Sequence, residues 1–179
     1  MATPSKQSST ARAAKPAQQQ RRPLTPLELE SGFGYSSNLQ VIIPMKQGQT
    51  LGLTKHSNSE IIQLIQSGLP YSCLETLRQY SGLSMEQLAR LLQIAPRTLA
   101  RRKTQGQLRP DESERLLRLG RVLEQALNMV GGYPHDAMQW LSTPAPSLGG
   151  QLPLEYAMTE IGAEQVIRTI NRLEQGGFM

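Results

Sequence analysis

The sequence predicts an all-α fold, and three observations carry that reading. Aromatic residues make up only 4% of the 179 residues, which suits a core of Leu, Ile and Ala better than an aromatic-rich sheet. From Asn58 onward, apolar residues recur every three or four positions, the period of a helix with one buried face. The periodic segments are also punctuated in the helical way, with Ser, Asn or Pro at their starts and Gly at their ends.

The elements follow in order. Residues 1–35 are rich in Ser, Thr, Ala, Gln and Pro, bury too little apolar surface to offset chain entropy, and are expected to form a disordered basic tail. Residues 36–56 read as an irregular segment or short strand, because the β-branched run Val41–Ile43 is broken by Pro44 and Gly48. The first helix holds Ile61, Ile62 and Ile65, is capped by Asn58 or Ser59, and ends at Gly68. Pro70 starts a second, with Leu74 and Leu77 inward and Gly82 at its end. Ser84 caps a third, with Gln87 placed for a capping box and Leu88, Leu91 and Leu92 on one face. Pro96 opens a fourth that stops before Gly106. Pro110 opens a fifth, long helix with Leu116, Leu119, Leu123, Ala126, Leu127 and Val130 at core spacing. A short helix from Ala137 to Leu141, a loop, another short helix from Leu154 and a last helix lined by Val166, Ile167, Ile170 and Leu173 complete the chain.

Composition excludes several classes. No apolar run approaches the roughly 20 residues that span a bilayer, and the N-terminus has no apolar signal core. The single cysteine, Cys73, excludes an internal disulfide; it reads as a small buried hydrophobe and suits a reducing, cytoplasmic setting. The net charge of +5 is unevenly spread. Residues 1–22 carry five basic residues and no acid; Arg97–Arg121 carries eight basic residues against three acids; Val122–Met179 carries two against six. A polyanion is drawn to the middle of this chain and repelled by its end.

The middle is where chemistry concentrates. The third and fourth helices are short and joined by a tight turn, as in a helix-turn-helix, with Leu88 and Ala89 packing the first helix and Ile94 plugging the turn. At about 100° per residue, Arg97, Thr98, Arg101 and Arg102 span an arc of about 140°, while Leu99 and Ala100 are expected to face the core. The arc is either a solvated face or a nucleic-acid surface, on which Arg97 and Arg101 would read bases and Thr98 and Lys103 would touch phosphate. His56, His135 and Asp136 have no companions at metal-ligand spacing. The stretch from Ser147 to Pro153 lacks the lysine of a phosphate loop, and no nucleophile, base and acid converge. Neither an enzyme nor a bound cofactor is expected.

RTLARRK (Arg97–Lys103), Leu108 and ESERLLRLGRVLEQA (Glu112–Ala126) resemble the helix-turn-helix part of the MbcA/ParS/Xre antitoxins. The stretch from Ala137 to Phe178 resembles their C-terminal toxin-binding domain at Trp140-Leu141, Pro144, Leu148-Gly149-Gly150, Pro153-Leu154, Gly162, Val166, Arg172, Glu174 and Gly176. The chain departs from generic Xre regulators at Arg102, where they carry an apolar residue, and at Lys103, where they carry an acid. The resemblance implies an Xre-like helix-turn-helix DNA-binding domain over 57–128 and a toxin-binding domain over 129–179. It implies the antitoxin of a type II pair, which binds a RES-domain, NAD-consuming toxin, covers its active site and represses the shared operon at its operator DNA. The expected toxin-binding residues are Trp140, Leu148, Gly149, Gly150, Arg168, Arg172, Glu174 and Phe178. Trp140 is alternatively core, and the Leu148–Gly150 loop alternatively a plain turn. A homodimer is expected on DNA, with the fifth helix as dimer element, and a higher-order complex with toxin. The alternative function is a stand-alone transcription regulator whose C-terminal helices dimerise or sense a ligand.

Overall fold

Eight α-helices, α1 (Asn58–Ser67), α2 (Tyr71–Ser81), α3 (Met85–Leu91), α4 (Pro96–Gln105), α5 (Pro110–Met129), α6 (Pro134–Leu141), α7 (Pro153–Tyr156) and α8 (Glu160–Glu174), make up the regular structure, with no β-strand among the described residues. The computed structural model describes residues 45–176. The expectations for the tail 1–35, for the Val41–Ile43 run and for Phe178 lie outside the described residues.

α5 is the axis of the packing. It contacts α8, α6, α1, α2 and a 3-10 turn at Gln49–Leu51. Its apolar stripe is accordingly consumed inside the chain: Leu116, Leu119, Val122, Leu123, Ala126 and Leu127 are all buried. This corrects the expectation that α5 is the dimer element, because the face that would pair with a second copy already packs α6 and α8. Val122 was not among the expected core positions; it widens the stripe so that two layers of helices seat on one rod.

The described part of the segment before α1, from Met45 onward, holds the 3-10 turn and is built into the core. Leu51 and Leu53 are buried, and the carboxylate of Glu124 on α5 accepts bonds from the Gly48 and Thr50 amides (3.2 and 3.0 Å) and the Thr50 hydroxyl (2.9 Å). Burial pushes the Glu124 carboxyl above its ordinary range, and these donors oppose the rise. Gly120 lies beneath the turn, where an added Cβ would sit 3.1 Å from the Leu51 and Thr50 side chains.

Local chemistry explains the helix ends. α1 is capped by Ser57, one residue earlier than expected, because its hydroxyl and Glu60 form a reciprocal capping box (Ser57 N–H to Glu60 carboxylate, 2.6 Å). Ser84 and Gln87 form the expected box at α3 (2.8 and 3.1 Å). α6 begins at Pro134 and α8 at Glu160, each earlier than the apolar pattern alone indicates.

Candidate functional site

The turn between α3 and α4 is tight. Gln93 takes a left-handed φ of 54°, and the Ile94 amide donates to the Ala89 carbonyl at 2.8 Å, which pulls the buried Ile94 side chain between the two helices. α4 then starts at Pro96 behind Ala95, which offers no side-chain acceptor to the first-turn amides. The positive end of the helix is thus left open beside Arg97. Arg97, Arg101 and Lys103 are exposed, Thr98 is half-buried, and no carboxylate pairs with any of the three basic groups among the described residues.

Two expectations for α4 are corrected. Arg102 is only 6% exposed and faces inward with Leu99, its neighbour one turn earlier. Its Nε donates to the Glu112 carboxylate at 2.8 Å, and its Nη1 to Gln105 at 2.9 Å. Arg102 is therefore removed from the DNA-contact set. Glu112 on α5 supplies the buried partner that lets an arginine sit at this inward position. The same carboxylate accepts the Arg109 amide at 2.8 Å, so one acid ties α4 to the start of α5. The Glu112 bond is the main cause holding the Arg102 guanidinium above its ordinary pKa. Ala100, expected to face the core, is exposed in its place.

The far end of α4 is fixed by backbone. The Tyr71 amide donates to the Gly106 carbonyl and the Leu108 amide to the Leu69 carbonyl, both at 2.9 Å. Gly68 permits this crossing: its φ is 104°, and a Cβ there would overlap the Leu108 carbonyl oxygen.

On the C-terminal side, α8 lies along α5 with Val166 and Ile170 buried, Ile167 and Leu173 half-buried, and Arg168, Arg172 and Glu174 exposed. Gln125 on α5 donates to Asn171 at 2.7 Å. Gly162 lets the first turn of α8 approach α7 closely, since a Cβ there would overlap the Tyr156 carbonyl oxygen. Glu160 receives Arg118 at 2.7 Å and Arg121 at 2.8 Å, and Arg118 also donates to the Met158 carbonyl at 2.9 Å. The bond from Arg118 is the chief cause lowering the Glu160 pKa. Arg168 pairs with Glu164 at 2.8 Å, an exposed i,i+4 pair that contributes only about 0.3–0.5 kcal/mol.

The remaining sequence-marked residues fall into two groups. Trp140 is half-buried against the core. Leu148 is 4% exposed, so its side chain belongs to the core; this corrects its place among the toxin contacts and leaves the exposed Gly149 and Gly150 as the outer part of that loop. Cys73 is buried and its thiol pKa raised by burial. His135 bonds only to its neighbour Asp136, and no group of three metal-ligating side chains forms among the described residues. Ile161 was not singled out by the sequence reading, and it is the most exposed large apolar residue described. No described helix is long and apolar enough to cross a membrane.

Comparison with known proteins joins these two regions. Residues 60–121 match the family model of the antitoxin Xre-like helix-turn-helix domain, and residues 125–176 match that of the antitoxin Xre/MbcA/ParS C-terminal toxin-binding domain. The chain is similar to Antitoxin Xre of Yersinia enterocolitica, with 33% identity over 129 residues, covering 72% of this chain and 87% of that protein. It is also similar to Antitoxin Xre of Photorhabdus laumondii, with 30% identity over the same coverage. With both halves matched in order, the chain belongs to the Xre antitoxin family.

Proposed function

We propose that this antitoxin acts in the cytoplasm, occludes the active site of a RES-type, NAD-consuming toxin with its C-terminal helices, and represses its own operon through α3 and α4. The observation that carries the reading is the separation of charge. α4 presents Arg97, Arg101 and Lys103 with no acid to neutralise them, whereas the segment after Val122 is net acidic and matches the toxin-binding model. Arg97 and Arg101, one turn apart, reach base edges in the major groove; Thr98 and Lys103 contact phosphate. Trp140, Gly149, Gly150, Arg168, Arg172, Glu174 and Phe178 contribute to the toxin surface. The RES-type identity of the toxin rests on the resemblance of the C-terminal stretch. The protein binds its operator as a homodimer, because two half-sites multiply the affinity of one short recognition helix, and forms a higher-order complex with toxin.

Two variants test this. Arg97→Ala with Arg101→Ala is expected to lower operator affinity by about 1–3 kcal/mol per base-reading arginine while toxin neutralisation persists. Truncation after Ala163 is expected to do the reverse. Electrophoretic shifts and growth under co-expression with the neighbouring reading frame read the two outcomes; wild-type operator affinity in the double variant refutes the DNA assignment.

A further inference from the structure

The solvent side of α8 is not uniformly polar. Ile161 is 78% exposed, and α8 leaves it no other course: Gly162 is pressed against the Tyr156 carbonyl, and Ala163 and Val166 are buried. At 100° per residue, Ile161, Arg168 and Arg172 fall within about 40° of one another on the same face. Gln165 adjoins them, one turn after Ile161, and accepts the Tyr156 hydroxyl at 3.3 Å, which brings a half-exposed aromatic ring to the apolar end. Arg168 is held by Glu164, but no ion pair holds Arg172 among the described residues.

We propose that this stripe, with Ile161 at one end and Arg172 at the other, is the primary docking surface for the toxin, and that Ile161 is its anchor. The inference rests on the toxin-binding reading above and moves the weight of the interface from the arginines to an apolar residue at the opposite end of the helix. The chemistry favours a protein over nucleic acid: the Glu164 carboxylate lies on the same side and repels phosphate, whereas Ile, Tyr and Arg together are what the centre of a protein interface uses. The stripe lies within the residues matched to the toxin-binding model. Eleven residues at 1.5 Å each separate anchor from charge by about 16 Å. The complementary surface is therefore an apolar pocket with a carboxylate about 16 Å away.

The test uses the full chain and the purified toxin encoded by the neighbouring reading frame, with binding measured by calorimetry and operator binding measured in parallel. Ile161→Asp is expected to weaken toxin binding by about 30-fold or more, the loss typical of a hot-spot residue. Arg172→Glu is expected to weaken it by about 10-fold, with a matching loss of salt dependence. Both positions are exposed, so helix content and operator affinity should match wild type. If the wild-type chain binds the toxin and Ile161→Asp binds it as tightly, the toxin-binding reading stands and this face is overturned. If Ile161→Asp alters only self-association, the stripe is a contact between copies and the proposal fails. If the wild-type chain does not bind that toxin, the function itself fails and the proposal with it.

Discussion

α4 and α8 are both amphipathic, both present arginines to solvent, and both pack a leucine- or isoleucine-bearing face inward, yet their outer surfaces are built for different partners. On α4 the exposed basic groups stand without acids, and the one arginine that has an acid partner is turned inside. On α8 the acid Glu164 shares the exposed side with Arg168, and an isoleucine stands beside them. Uncompensated charge of one sign gains most from a polyanion, where each neutralised phosphate releases counterions. Mixed charge around an apolar residue gains little there and most from a complementary protein surface. The two helices are also anchored differently, α4 by a buried ion pair and α8 by close apolar packing, so they should fail in different ways.

The largest effect is expected at α4. Glu112→Ala leaves the inward Arg102 charge without its partner and the Arg109 amide without its acceptor. Removing one partner of a buried pair costs about 3–5 kcal/mol; this pair lies close beneath the surface, so about 2–3 kcal/mol is expected. Urea unfolding measures it, and operator affinity should fall with it even though neither residue touches DNA. Recovery of both stability and operator binding in Arg102→Met with Glu112→Leu would show that the pair is there to place α4 and that an apolar pair can do the same.

A smaller, steric effect is expected at α8. Gly162→Ala drives a methyl into the Tyr156 carbonyl and pushes the first turn of α8 away from α7. Overpacking of this kind costs about 1–3 kcal/mol. Toxin affinity should drop while operator affinity stays within twofold; equal losses in both would mean that α8 also supports α4.

The smallest effect is expected where the first turn of α8 meets α5. Glu160 is half-exposed, so its bonds to Arg118 and Arg121 contribute under about 1 kcal/mol after screening. Its pKa is lowered in the folded chain, so this stability is present above the ordinary carboxylate pKa and lost as pH falls through the lowered value. Glu160→Gln should therefore lower stability by under about 1 kcal/mol at neutral pH, leave it nearly unchanged at low pH, and so flatten the acid side of the stability–pH curve.

Much of the fold was legible because it depends on local rules. Ser84 with Gln87, Pro96 and Pro110 at helix starts, and Gly82 and Gly106 at helix ends act within one turn of chain, and each appears where the sequence placed it. The core positions Leu88, Leu99, Leu116, Leu123, Val166 and Ile170 follow from helical period alone. The first-helix cap shifted to Ser57 because Ser57, Asn58 and Ser59 in succession offer equivalent side chains, and only the reach of Glu60 selects among them.

What the sequence by itself determined was the all-α class, the order of the helices and the basic character of α4. These depend on residue period, capping and charge, which need no distant partner. Only the tertiary structure decided which arginines of α4 are surface and which is structure. Arg101 and Arg102 are neighbours of the same type, and the difference between them is a carboxylate ten residues beyond Arg102, brought alongside by the turn into α5. It also decided that Glu124 holds the segment before α1, and that Ile161 faces solvent on the arginine side of α8. A periodic pattern says that a helix has an inner face. Where that face ends depends on how many neighbours crowd the helix, and α5 and α7 set that limit for α8.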